Sequence, residues 1–192
     1  ELDAFPDALE RAAAALAPVS LVPHNDGTFT HFPHLLERAK PGLIAVTAHG
    51  KRFTNEANSY YDFVTDLLAA LPVDEPKVAW LICTHEFIRH WGLGAVKPAP
   101  MPMRAMLANG YLKRGGSLSE LASVCGIDAA ELIDTVARYN AMARAGKDED
   151  FHKGETAYNR IQGDGTHTGP NPCMAPLDAG PFYAVKLVPG SL

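Results

Sequence analysis

Apolar residues follow two rhythms along this chain. Short runs rich in Val, Ile, Leu and Ala predict strands at residues 19–22, 43–46, 78–83 and 182–188, with a fragment at Tyr111-Leu112. The first is ended by Pro23 and the turn His24-Asn25-Asp26-Gly27, the last by Pro189-Gly190. The run at 43–46 turns at His49-Gly50 and is expected to return through Lys51-Arg52-Phe53 as a hairpin, which then breaks at Asn55-Glu56. Helical spacing appears at 59–71, where Phe63, Val64, Leu67, Leu68 and Leu71 share a face and Pro72 stops the helix. Residues 84–91 and 103–108 are expected to be helical, separated by a Pro-rich loop at 97–102, and 32–39 to form a brief helical turn.

Helix starts are marked by polar side chains. Ser117-Leu118-Ser119-Glu120 is a capping box, and Asp128-Ala129-Ala130-Glu131 has Asp in the cap position. The helix after Asp128 carries Leu132, Val136, Tyr139 and Met142 on one face and stops near Gly146. An Ala-rich helix is expected over 3–16, with Pro6 in its first turn. Residues 148–181 read as an ordered wrapping loop anchored by Phe151, Tyr158 and Ile161. Short strands, unequal helices and long loops in mixed order, without internal repeat, imply an α+β domain: a small mixed sheet with flanking helices.

Composition narrows the function. With 192 residues and 47% hydrophobic content, the chain builds one substantial core and is not disordered. Lys and Arg number 17 against 22 acidic residues, a net charge of −5 without a basic block, so no nucleic-acid partner is expected. No apolar run approaches a membrane span. The Glu-Leu-Asp start is neither a signal peptide nor an initiator Met, and suggests an excised piece of a cytoplasmic protein. The three cysteines, Cys83, Cys125 and Cys173, are widely spaced and imply neither disulfides nor zinc.

Candidate chemistry then reduces to a few groups. No G-x-G-x-x-G or P-loop occurs, and Gly92-Leu93-Gly94 follows a helix, the wrong context for a dinucleotide. The eight histidines show no H-E-x-x-H, so no metal is expected; His34, between Pro33 and Leu35, is the one expected to line a pocket. No G-x-S-x-G supports a serine nucleophile, and the cysteines lie in apolar surroundings. The phenols of Tyr60 and Tyr61 stand at a helix N-terminus, where free N–H groups and the dipole favour an anion. A phenol, with a reference pKa of roughly 10, acts as a base only with such help. Tyr183 lies on the last strand, where packing is the plainer role.

The segment G-K-R-F-T-N-E-A-N-S-Y-Y-D-F, residues 50–63, resembles the G-R-R-F-x-N-E segment of flavoprotein dehydrogenases of the fumarate reductase / 3-ketosteroid Δ1-dehydrogenase superfamily. Gly110-Tyr111-Leu112-Lys113-Arg114-Gly115 with Leu118 to Leu121, Thr135 to Asn140 with Asp148 to Gly154, and Gly180-Pro181-Phe182-Tyr183-Ala184 with Val188-Pro189-Gly190 agree in the same order. The resemblance implies that residues 1–192 are the inserted substrate (cap) domain, and that FAD is held mainly by an FAD-binding domain absent from this chain. The isolated chain is then expected to be inactive.

Fumarate reductases carry an arginine acid five residues after the Asn of N-E; here that position is Tyr60, as in the ketosteroid dehydrogenases, where it is the base. The chain also lacks the H-P-T and T-E pieces that hold a dicarboxylate. The resemblance therefore implies desaturation beside the ketone of a steroid-like hydrophobic substrate, with hydride passed to flavin. By the same resemblance Tyr60 is the base, with Tyr61 in its place if the helix starts one residue later. Tyr183 and a backbone N–H near Gly190 are the candidate carbonyl-binding groups, and Ser59, Tyr61, His34 and Gly190 the candidate substrate contacts. The competing expectations are a fumarate-reductase-like enzyme acting on a small acid, and a ligand-binding module without activity.

Overall fold

The computed structural model describes residues 16–191, so the helix expected over 3–16 lies outside the described residues but for its last position. Strands β1 (Ala17–Pro23), β2 (Phe29–Pro33), β3 (Leu43–Thr47), β4 (Ala79–Thr84), β5 (Leu112–Gly115) and β6 (Phe182–Gly190) form one sheet in the order β2-β1-β6-β4-β3, with β5 also on β6. Every pairing is antiparallel. β6 is the hub: β4 runs along one side of it, and β5 and then β1 share the other.

The central strands are buried on both faces. Leu43, Ala45, Leu81, Cys83, Tyr183 and Val185 point into one core, and Ile44, Val46, Trp80, Ile82, Phe182 and Ala184 into the other. Helix α1 (Tyr60–Ala70) covers the first core with Phe63 and Leu67, and α2 (His85–Trp91) with Phe87 and Ile88. Helix α3 (Arg104–Ala108) adds Met106 and Leu107 at its margin. Helices α4 (Leu118–Cys125) and α5 (Ala129–Ala145) cover the second with Leu121, Leu132, Val136 and Tyr139. A strand with helices on both sides needs apolar side chains at every position, which explains the unbroken run at 78–83. The α+β class follows as expected from the sequence, but the sheet is antiparallel throughout rather than mixed.

Caps fix the helix starts. Ser59, Thr84, Ser117, Asp128 and Thr156 each accept a hydrogen bond from the backbone N–H three residues on, opening α1, α2, α4, α5 and α6 (Ala157–Gln162). Glu120 closes its half of the box one residue early, accepting from the Gly116 N–H at 2.7 Å.

Three further expectations are corrected. The return strand at 51–53 does not form: Val46 and Arg52 make one isolated bridge, and β3 pairs with β4 instead. Arg52 is drawn inward to an ionic cluster, so the segment cannot alternate as a strand would. Of the turn expected over 32–39, Phe32 and Pro33 complete β2, and only Glu37–Ala39 winds, as a 3-10 helix. The stretch 148–181 is ordered and contains α6, but Tyr158 and Ile161 are exposed, at 50% and 81%. Phe151 does anchor it, half-buried against the Arg52 guanidinium, and the other anchors are polar: Asp148, Lys153, Asn159 and Asn171 are buried.

Candidate functional site

The segment leading into α1 is built on buried charge. Glu56 accepts from Arg52 Nε and Nη2, both at 2.9 Å, and from the Ala45 N–H on β3 at 3.0 Å. Arg52 also grips Asp148, from Nη1 at 3.1 Å and Nη2 at 2.8 Å. Lys153 Nζ lies 3.2 Å from Glu56 and donates to the Leu43 carbonyl at 2.8 Å. Two cations and two carboxylates thus balance in the interior, with the rings of Tyr139 and Phe151 about 5 Å from the Arg52 guanidinium. Burial pushes the Glu56 carboxyl up, but Arg52 and Lys153 outweigh it and hold it at about 2. Burial alone dominates at Lys153 and lowers its ammonium below the ordinary lysine value. The G-K-R-F-T-N-E pattern is therefore a structural clamp: its Arg and Glu hold each other, β3 and the Asp148 loop.

Amides continue the clamp. Asn55 accepts from the Ala57 N–H and donates to Asn159 Oδ1 at 2.9 Å. Asn159 Nδ2 donates to the Ala57 carbonyl and to Asn58 Oδ1, each at 3.0 Å. Gly154, at φ 84, donates to Asn159 Oδ1, and a side chain there would collide with Asn171.

Arg38 closes the other side. It is 1% exposed and donates to three carbonyls: His34 and Glu56, each at 2.7 Å, and Asn58 at 3.2 Å. Its guanidinium sits 4.8 Å over the Phe63 ring. No carboxylate among the described residues pairs with it directly, and burial pushes it down to about 10. Two of its three bonds fix the loop immediately before Tyr60.

Tyr60 is the first residue of α1 and is 39% exposed. Tyr61 is half-buried beside it. Ser59 is fully engaged as the cap, accepting from the Asp62 N–H at 3.1 Å and donating to the Asp62 carboxylate at 2.9 Å. Leu36 precedes Arg38, Tyr158 and Ile161 flank Asn159, and all three are exposed.

Beside the 3-10 turn lies a cavity of about 260 Å³, lined by Phe32, Leu36, Glu37, Lys40, Trp91 and the Gly92–Gly94 backbone. Trp91 also walls a larger cleft of about 810 Å³ that takes in His85, His90 and His167. Tyr60 lines neither, and is tied to the first through Arg38.

The other expected site residues fall in different places. His34 does not line a pocket: it is wholly buried, with Nδ1 2.6 Å from Glu37 and Nε2 2.7 Å from Ser20 Oγ. Ser20 in turn bonds the Tyr111 hydroxyl at 2.6 Å, which accepts from the Ala95 N–H. Burial pushes Glu37 up, but His34 outweighs it and keeps the carboxyl below the ordinary range. Tyr183 is buried, and its hydroxyl lies 3.1 Å from His85 Nδ1, behind the larger cleft. Gly190 pairs with Ala17 at the far end of β6, seven residues or roughly 23 Å from Tyr183. The two cannot hold one carbonyl together. Sequence reading missed Arg38, Lys40, Lys153 and Asn159; a lone buried Arg or Lys leaves no periodic trace.

Among the described residues no His, Cys, Asp and Glu cluster could hold a metal, and no helix is long and apolar enough to cross a membrane. A nucleotide cradle does not fit either. The sheet is antiparallel throughout, and the Gly92–Gly94 turn is filled: a Cβ at Gly94 would strike Tyr111 and His34.

Against this geometry the comparisons with known proteins can be set. The family described as "FAD binding domain" matches residues 7–192. A 4-oxocyclohex-2-ene-1-carboxylate 5-dehydrogenase of Sinomonas cyclohexanicum is 46% identical over 176 residues, which cover 92% of this chain and 30% of that protein. A 3-oxosteroid 1-dehydrogenase of Mycolicibacterium smegmatis is 37% identical, over 82% of this chain and 28% of that protein. Among solved structures, 3-ketosteroid Δ1-dehydrogenase from Sterolibacterium denitrificans in complex with 1,4-androstadiene-3,17-dione superposes with a TM-score of 0.81 at 32% identity, over 90% of this chain and 31% of that one. The chain thus spans less than a third of the length of these relatives.

Proposed function

The chain belongs to the FAD binding domain family, and on that premise we propose that it is the substrate-binding part of an FAD-dependent dehydrogenase that desaturates a carbon–carbon bond beside a ring ketone. The observation that carries this reading is Tyr60: an exposed phenol at the first turn of an 11-residue helix, on a loop held by Arg38 and Asn159. FAD, when bound, supplies the hydride acceptor, and the described residues fit no nucleotide cradle, so the rest of the protein would hold it.

The chemistry of this chain's own residues is proton removal. The carbon next to a ketone is acidified by the carbonyl, and a base placed against it takes the proton as the adjacent carbon loses hydride and the double bond forms. The Arg38 and Asn159 bonds keep the backbone that carries Tyr60 from shifting. Tyr61 is the alternate base. The exposed phenol of Tyr60 suits a ring substrate sandwiched against the flavin-bearing part. Tyr183 would act on a substrate only through His85, whose ring lines the larger cleft.

The ring-ketone reading is favoured over a fumarate-type one because a phenol, not a guanidinium, occupies the first turn of α1. Relatives named for a carboxylated cyclohexenone and for 3-oxosteroids support a cyclic ketone as the substrate class. The test is anaerobic mixing of the full-length flavoprotein with each candidate. Bleaching of the flavin by 4-oxocyclohex-2-ene-1-carboxylate or by a 3-ketosteroid is expected. Bleaching by neither, with turnover of fumarate by the reduced protein, would sink the reading.

A further inference from the structure

We propose that Lys40 binds a carboxylate on the substrate, which makes the cavity beside it the subsite that selects a ring ketone carrying an acid group. This rests on the reading of the chain as the substrate-binding part of a ring-ketone dehydrogenase.

Lys40 ends the 3-10 turn and lines the cavity with Phe32, Leu36 and Trp91. Its ammonium donates to the Gln162 and Gly163 carbonyls, each at 2.8 Å, and lies 5.0 Å over the Trp91 ring. An ammonium has three protons, and two are taken. The two carbonyls close the C-terminal end of α6 and hold the group still, so the remaining N–H is presented with little loss of side-chain freedom. No carboxylate among the described residues forms a salt bridge with Lys40, although Asp164 lies near enough to feel its charge. Glu37 shares the cavity wall, but its carboxylate is turned to His34 at 2.6 Å and is 16% exposed.

Size and placement agree. At about 260 Å³ the cavity is below the ~300–1,000 Å³ that takes drug-sized ligands, and so suits one ring better than four fused ones. Its floor, the 3-10 turn, is bolted by Arg38 to the two carbonyls that precede Tyr60. The Arg38 bonds that hold the loop before Tyr60 therefore also hold the turn that ends at Lys40. The apolar walls of Phe32, Leu36 and Trp91 beside a fixed cation, with Glu37 turned to His34, match the chemistry of a carboxylated alicyclic ketone.

The test uses full-length, flavin-loaded protein with 4-oxocyclohex-2-ene-1-carboxylate and its neutral methyl ester. For Lys40→Met, KM for the acid is expected to rise about 10- to 100-fold, the range of one lost charge-assisted hydrogen bond, with the ester within about two-fold of wild type. Lys40→Arg should restore most of the acid's affinity. Lys40→Gln, which keeps a donor for Gln162 and Gly163, makes the same comparison if the Met variant does not fold. Inhibition by cyclohexanecarboxylate, a binding readout without turnover, should weaken in parallel. An unchanged KM for the acid, or an equal loss for acid and ester, overturns the proposal while leaving the ring-ketone function standing. A wild-type protein that oxidises neither overturns both.

Discussion

Arg38 and Glu56 bring opposite charges into the interior on either side of one loop, and Tyr60 inherits its position from both. Glu56→Gln would leave Arg52 and Lys153 facing a single carboxylate. It is expected to destabilise the fold by about 3–5 kcal/mol, read by denaturant unfolding. Arg38→Met strips donors from two buried carbonyls, each costing about 1–3 kcal/mol when left unpaired, and from the half-buried Asn58 carbonyl, and is expected to lower both stability and kcat. Normal turnover in that variant would show that Arg38 does not position the base. At this scale the sequence was only partly legible. Tyr60 stood out by its spacing from Asn55. The distant partners of Arg52 and Glu56 did not, because Asp148 and Lys153 come from about a hundred residues away and only the fold brings them together. His34 was misjudged for a related reason: its neighbours Pro33 and Leu35 say nothing of Ser20 and Glu37, which bury it.

Local chemistry wrote the helices plainly. Ser117, Asp128 and the 59–71 pattern gave starts that match α4, α5 and α1 closely, since a cap needs only a side chain and an N–H three residues away. Ser59→Ala should therefore cost about 1 kcal/mol of stability, measured by thermal or chemical unfolding, and fray the turn that carries Tyr60. The false hairpin at 51–53 failed because strand pairing is a long-range choice. The segment holds one bridge to β3, while β4 offers five register pairs. The loop 148–181 was misread in two of its anchors because apolar residues were taken as the holders. Asn159 and Asn171 hold it through backbone bonds, and this leaves Tyr158 and Ile161 exposed.

Across the whole molecule, the buried ionic cluster makes stability depend on acid. Glu56 sits at about 2 against an ordinary 4.5. Its contribution is therefore complete above pH 4.5 and is lost as pH falls toward 2. Unfolding monitored by circular dichroism over that window should show the loss, and Glu56→Gln should remove this part of the pH dependence. The antiparallel sheet without a nucleotide cradle also predicts that the 192-residue chain, purified alone, carries no flavin absorbance. The central claim is that Tyr60 takes the proton. Its most direct test is the rate of anaerobic flavin reduction by a ring ketone in full-length Tyr60→Phe. The account predicts a fall of about 10²- to 10⁴-fold with the flavin still bound; reduction at the wild-type rate would contradict it.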